Sequence, residues 1–344
     1  MIWHLPHIRA IAAHVGGPVS LLAKPRSLAD EIFEAEETVR EVLWVDRNPE
    51  KRHGRHDGAG GWLRLVASIR ARRFSSVYVL HHSRTLAFLM LVAGIPVRYG
   101  FGYGAQRLFL NHGPYLPASA FSLHPFEQAS AWLAAAGIRL PEGEPRLPVS
   151  EQARAEVRRY QDLVDMPFVA IGVGSSEPYK QWGAERFASL IGLLQRAGWR
   201  RFVLIGGEAE TALIGDIQTR LGGVAPSVTA AVGWSLPNVA ALFERAAFYV
   251  GNDTGVMNMA AAVGLRTYCL FGATPPLHHG SRIIPILPPG GIEKATGMSR
   301  ITPEAVLSVL EQDRRQHDLA AAVCAPPPST HAPGIPPLRG RSSL

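Results

Sequence analysis

Short apolar runs and amphipathic stretches alternate along most of this chain. "MIWHLPHIRAIAAHVGG" puts Ile8, Ile11, Ala12 and Val15 at helical spacing and stops at Gly16-Gly17. "PVSLLA" then predicts a strand, "SLADEIFEAE" a helix and "REVLWV" a strand. "GGWLRLVASIRARRF" predicts a helix, "SVYVLH" a buried strand, "SRTLAFLMLVAG" a helix closing on Gly94, and "IPVRYG" another short strand. Such alternation predicts a parallel sheet covered on both faces. From Leu116 to Pro148 the pattern loosens around prolines 117, 125, 141, 145 and 148, with "HPFEQASAWLAAAGI" as one helix inside it.

The alternation then restarts. "FVAIGV", "RFVLIGG", "FYVG" and "TYCLFG" predict strands. "GAERFASLIGLLQRAG", "EAETALIGDIQTRLGG", "LPNVAALFERA", residues 256–263 and "TPEAVLSVLEQDRRQ" predict helices. The fold class is therefore α/β: two open parallel-sheet units, residues 1–148 and 149–312. A Pro-rich tail over 313–344 lacks apolar periodicity, and disorder is expected there. In open α/β sheets ligands bind beyond the carboxyl ends of strands, so the cleft between two such sheets is the expected site.

Composition narrows this picture. A chain of 344 residues with 47% hydrophobic and 18% charged residues builds a filled interior and favours two domains. Two cysteines give no disulfide framework, and Cys269, inside an apolar run, reads as a small core residue. No apolar run reaches the roughly 18 residues of a membrane span, and no signal peptide is visible, so a cytoplasmic protein is expected. The formal charge of +7 favours anionic partners: nucleotides, phosphorylated glycolipid or an anionic inner-membrane surface. Neither zinc-finger spacing nor an RNA-binding aromatic signature appears, and no nucleic-acid partner is expected.

Three loops after strands of the second unit carry candidate chemistry. In "GVGSSEPYKQW", glycines allow a ligand near the backbone, Ser175 and Ser176 offer hydroxyls, and Lys180 offers a mobile cation. A solvated loop anchored by Trp182 is the plain alternative. In "IGGEAET", Glu210 suits a ribose diol or simply complements a helix dipole. In "GNDTGVMN", the N–H groups at Thr254 and Gly255 open a helix and form an anion site, with Asp253 capping it, orienting the loop or meeting a hydroxyl. Without a ligand the same residues read as a helix cap.

These motifs together resemble the heptosyltransferase family, glycosyltransferase family 9. "GNDTG", a small-residue helix and "LFGATPP" are similar to its donor-site signature; "SSEPYKQWGAERFASL" and "IGGEAET" resemble its upstream loops. "LPHIRAIAAH", "VSLLAKP", "GIPVRYGF" and "HPFEQASAWLAAAGI" also resemble family segments, so the likeness covers roughly residues 1–312. The resemblance implies a GT-B fold of two Rossmann-like domains facing a cleft, with a last helix crossing back to the first. It implies metal-independent transfer with inversion, without a cofactor, of heptose from ADP-heptose to a lipopolysaccharide core or related glycan. Ser175, Ser176, Lys180, Glu210, Asp253, Thr254 and Gly255 would bind the donor, and Lys180 and Asn258 would stabilise the leaving group. A transferase using another nucleotide sugar, for exopolysaccharide or protein glycosylation, and a non-catalytic nucleotide- or glycan-binding relative stay open.

Two departures stand out. The family's histidine after Asp-Thr-Gly is Asn258 here, which donates a hydrogen bond but carries no charge. The family's opening strand and Gly-Asp pair, which supply the general base, have no counterpart, because the first helix begins at once. The resemblance predicts a longer reading frame or a truncated chain, and no base is assigned; His4 and His7 are the nearby imidazoles. On the acceptor side, "RNPEKRHGRHDG" offers Arg47, Lys51, Arg52 and Arg55 to an acidic or phosphorylated glycan, or is merely a solvated basic loop. "GAGGWL" lacks dinucleotide-motif spacing, and His278-His279 lack a third metal ligand.

Overall fold

The structure is a computed structural model that describes residues 1–48, 52–160, 166–175, 177–222, 227–276 and 280–317. The first half alternates as expected. A helix, Leu5–Val15, precedes β1 (Val19–Ala23) and β2 (Val39–Trp44); helix Gly58–Ala71 leads to β3 (Ser76–Val79), and helix Arg84–Val92 to β4 (Val97–Gly100). Ser83 caps the last of these helices by accepting the Leu86 N–H.

The strands do not join into one sheet, as the sequence had predicted. β1 pairs with β2 and β3 with β4, both in parallel, as two separate ladders. The ladders share their packing layers all the same: Leu22, Leu43 and Val79 meet one apolar core, and Val19, Tyr78 and Tyr99 meet the other. Most residues of β1 and β3 are only half-buried.

The second half is an open six-stranded parallel sheet in the order β10-β9-β8-β5-β6-β7. Its members are β5 (Val169–Gly172), β6 (Arg201–Gly206), β7 (Ser227–Val232), β8 (Phe248–Asn252), β9 (Thr267–Leu270) and β10 (Ile283–Ile286). Every residue of β5, β8 and β9 is buried, the expected state of central strands with helices on both faces. The two edge strands, β7 and β10, were not foreseen. β10 contains Pro285, which lacks an N–H and is tolerated because only one side of the strand is paired.

The C-terminal helix, Pro303–His317, runs past the predicted domain end at 312. Asp313, placed in the tail by sequence, is buried; it accepts from Tyr268 Oη at 2.6 Å and pairs with Arg266. This helix packs on helix Ala184–Arg196 of the second half. Residues 318–344 of the expected disordered tail, with Lys51, Ser176, His278 and His279, lie outside the described residues.

The halves are joined by one apolar core. Ile2, Trp3, Leu5, Ile8 and Phe33 pack in a cluster with Val239, Leu242, Met257 and Ala260. Polar ties reinforce it: Glu31 accepts the Leu236 N–H at 2.8 Å, and Leu147 N–H donates to Ala262 O at 2.9 Å.

His7 sits inside this region, 1% exposed, with Nε2 at 2.9 Å from Ser130 Oγ and its ring edge-on to Phe126. That burial removes it as a base for a substrate hydroxyl. Burial also pushes its pKa from 6.5 down to about 4. Between those values the unfolded chain takes up a proton that the folded chain refuses, so folding stability falls as pH drops from 6.5 to about 4. The full effect is about 3 kcal/mol. Urea denaturation across that window should show the slope, and His7→Leu should reduce it.

Candidate donor site

The three predicted loops open at the carboxyl ends of β5, β6 and β8, adjacent strands in the order β8-β5-β6. The register makes their meeting possible. Gly172 of β5 pairs with Gly251 of β8, and Gly251 with Cys269 of β9. Both glycines are needed for space, and the reason is internal. A Cβ on Gly172 would lie 1.7 Å from Tyr249 Oη, and one on Gly251 would lie 2.3 Å from Gly172 O. Gly172, where a ligand contact had been expected, instead admits the Tyr249 ring, and Gly251 admits the backbone of β5.

At the ends of β5 and β8 the chain brings together Lys180 and Asp253. Lys180 Nζ lies 2.7 Å from Asp253 Oδ2, and Thr274 Oγ1 donates to the same oxygen at 2.7 Å. The two charged side chains are 20% and 14% exposed, so the pair is shielded but reachable from the cleft side. Thr274 belongs to "LFGATPP", and sequence reasoning did not select it. The available signal was positional: Asn252 pairs with Leu270, which sets the residues after β9 beside Asp253.

Asn252 was missed as well. It is 0% exposed, and its Nδ2 donates to Val173 O at 3.0 Å, Gly174 O at 3.2 Å and Gln181 Oε1 at 3.1 Å. Gln181 Nε2 donates to Val173 O at 2.9 Å. This amide cluster holds the β5 loop against the end of β8 and thereby sets Lys180. Trp182 completes the anchor: it is buried, and its Nε1 donates to Ile301 O at 2.9 Å.

Thr254 caps helix Gly255–Val263, its Oγ1 3.5 Å from Met257 N. Among the described residues the N–H groups of Thr254 and Gly255 have no hydrogen-bond partner, and a Cβ on Gly255 would meet nothing within 4 Å. The positive end of the helix thus follows directly on Asp253, the partner of the Lys180 ammonium.

The other predicted residues are more committed. Ser175 Oγ donates to Glu177 O at 2.9 Å, within its own turn. Glu210 takes the Gly207 N–H at 2.8 Å, and its carboxylate lies beside Gly174, so the second loop abuts the first. Asn258 accepts Trp3 Nε1–H at 2.6 Å and donates to Thr254 O at 2.9 Å, leaving one N–H to offer. The Trp3 contact ties the start of the chain to helix Gly255–Val263, and a Cβ on Gly280 would lie 2.7 Å from the same indole.

In the first half, Arg47 is engaged by Asp57 at 3.7 Å and lies 5.0 Å over the Trp62 ring. Arg52 and Arg55 are both exposed; the backbone N–H of Arg55 donates to Asp46 Oδ2 at 2.9 Å. A cavity of about 640 Å³ lies at the other end of the sheet, between the amino ends of β8, β9 and β10, lined by Ala247, Arg266 and Arg282 among others. It is remote from the loops just described.

Residues 62–288 match the family model described as glycosyltransferase family 9 (heptosyltransferase). Lipopolysaccharide heptosyltransferase 3 of Escherichia coli (strain K12) is 24% identical over 225 residues, which span 64% of this chain and 65% of the relative's length. Among solved structures, that of the E. coli ADP-heptose lps heptosyltransferase II is 22% identical, with a TM-score of 0.73 over 92% of this chain and 96% of that one. E. coli heptosyltransferase WaaC with ADP-2-deoxy-2-fluoro heptose is 20% identical, with a TM-score of 0.70 over 91% and 95%. At that identity the likeness shows a shared fold.

Proposed function

The chain belongs to glycosyltransferase family 9, the heptosyltransferase family, and on that premise we propose that it transfers heptose from ADP-heptose to a lipopolysaccharide-core or related acidic glycan. One observation carries the reading: the Lys180 ammonium is paired with Asp253, two residues before the start of helix Gly255–Val263. A nucleoside diphosphate leaving a sugar accumulates negative charge. An ammonium ion and fixed amide dipoles supply the opposing potential without rearrangement, in a partly shielded site.

Each residue then has a role. Thr254 and Gly255 N–H groups take the pyrophosphate. Lys180 exchanges Asp253 for a phosphate oxygen as the donor enters. Asp253, still held by Thr274, turns towards the sugar hydroxyls. Glu210 approaches the ribose with the carboxylate oxygen that its own turn leaves available. Transfer inverts the anomeric centre and needs no divalent ion, since the cationic charge is built into the loops. A relative's structure with an ADP-sugar analogue supports the choice of adenine nucleotide.

A thermal-shift panel of nucleoside diphosphates tests this reading. Stabilisation by a ligand at 100 times its Kd is about 2.7 kcal/mol, enough to move the melting temperature by several degrees. ADP should give the largest shift, and EDTA should not alter it. No shift with any nucleoside diphosphate would remove the donor-site assignment.

A further inference from the structure

The sequence between Asp57 and Glu127 contains seven arginines and not one carboxylate. Such a run would ordinarily mark a solvated basic face, yet the structure sets large apolar side chains in it. Leu63 is 63% exposed, Leu108 78%, Phe88 41% and Leu91 40%. They come from three neighbouring elements: helix Gly58–Ala71, helix Arg84–Val92 and the helical turn Gly104–Phe109. Ring contacts join these elements. Trp62 stacks on Phe88 with centroids 6.3 Å apart, and Phe88 meets Phe109 edge-on at 5.2 Å. The apolar side chains thus lie around one continuous aromatic seam.

Arginines border the seam. Arg64, Arg84 and Arg107 are exposed, and none has a carboxylate partner among the described residues. Arg64 donates to Arg55 O at 3.0 Å and Arg107 lies 4.5 Å over the Tyr115 ring, so their charges stay unneutralised. Isolated exposed leucines need no explanation, but a cluster of them around stacked rings and rimmed by such cations does. Protein interfaces usually balance their cations with carboxylates. Here the surface offers apolar side chains to a hydrocarbon boundary and guanidinium groups to phosphates, and the neighbouring carboxylates Asp57 and Glu41 are engaged by Arg47 and Arg72.

We propose that this face docks the protein on an anionic phospholipid bilayer, with Leu63, Phe88, Leu91 and Leu108 entering the interface and Arg64, Arg84 and Arg107 meeting lipid phosphates. The shared chemistry is that of interfacial anchors, in which apolar insertion and attraction to anionic lipid add. The proposal stands apart from the donor site, because none of these residues belongs to it.

The test is co-flotation of the full chain with vesicles of phosphatidylcholine alone, or with phosphatidylglycerol added. The protein should float with the anionic vesicles, weakly or not at all with neutral ones, and less as salt rises. Replacing Arg64 and Arg84 by glutamine should weaken binding about 25-fold, at about fivefold per arginine near an anionic surface. The pair Leu63→Glu with Leu108→Glu should abolish flotation while leaving the thermal shift with ADP unchanged, which separates a docking defect from misfolding or a lost donor site. Failure of the parent to float with anionic vesicles, or equal flotation of the glutamate pair, overturns the proposal. So does light scattering that shows a dimer in the parent and a monomer in the glutamate pair, for the face would then be covered by a second copy.

Discussion

Replacing Lys180 by alanine is expected to weaken nucleoside diphosphate binding by about 10- to 100-fold, the usual range for losing a hydrogen bond to a charged group. Transfer should fall further, by about 100- to 1,000-fold, because the leaving diphosphate gains charge as the sugar departs. The fold should suffer less. Asp253 would lose the ammonium 2.7 Å away but keep Thr274 Oγ1 at the same distance, and it retains 14% exposure. Asp253→Asn separates the two roles of the pair. If Lys180 serves the diphosphate, that change frees the ammonium and leaves ADP affinity equal or higher. If the pair is only a structural clasp, both substitutions lower affinity together. Calorimetric titration of ADP into the two variants and their double mutant gives the answer, and equal affinity in Lys180→Ala and parent would take the lysine out of the site.

Much of this site was visible before the fold was. Glycine, aspartate and threonine between an apolar run and a small-residue helix announce a strand, a turn and a cap, and the structure has β8, Asp253 and a Thr254 cap there. The buried strands were legible for the same reason: parallel strands covered on both faces read as unbroken apolar runs. Edge strands escape that signal. β7 mixes Ser, Thr and Ala with valine, and β10 is interrupted by Pro285. The split of the first half into two ladders was not legible either, because pairing partners are chosen in three dimensions.

Contacts between distant residues formed the other blind spot. Trp3 and Asn258 are 255 residues apart, and Thr274 is 21 residues from Asp253. Nothing in a tryptophan, an asparagine or a threonine taken singly predicts such a bond. A misread glycine teaches a related lesson. Gly172 looked like room for a ligand, whereas the room is filled by Tyr249. Residue type constrains what a position permits, and register decides what uses it.

Asn252 shows how much rests on register, and it carries the sharpest structural prediction. Its side-chain N–H groups face three acceptor oxygens: Val173 O, Gly174 O and Gln181 Oε1. Alanine there deletes the donor: Val173 O keeps the Gln181 Nε2 bond and Gln181 Oε1 keeps the Gly183 N–H, but Gly174 O loses its Asn252 partner, at a cost of about 1–3 kcal/mol. Aspartate has nearly the shape of asparagine, yet it should be worse than alanine. An ionised aspartate donates nothing, and it would set a buried negative charge against two carbonyls and an amide oxygen. The expected loss is about 3–5 kcal/mol, the range for an uncompensated buried charge, unless the carboxyl takes a proton. Protonation restores one donor, so the Asn252→Asp protein should recover part of its stability as pH falls, while Asn252→Ala should not. Because Asn252 fixes the loop that carries Lys180, both variants should also bind ADP more weakly, in the same order as their stabilities. Urea denaturation at several pH values, paired with ADP titration, checks the ranking; an aspartate variant as stable as the parent at neutral pH would show that the amide does not clamp these loops.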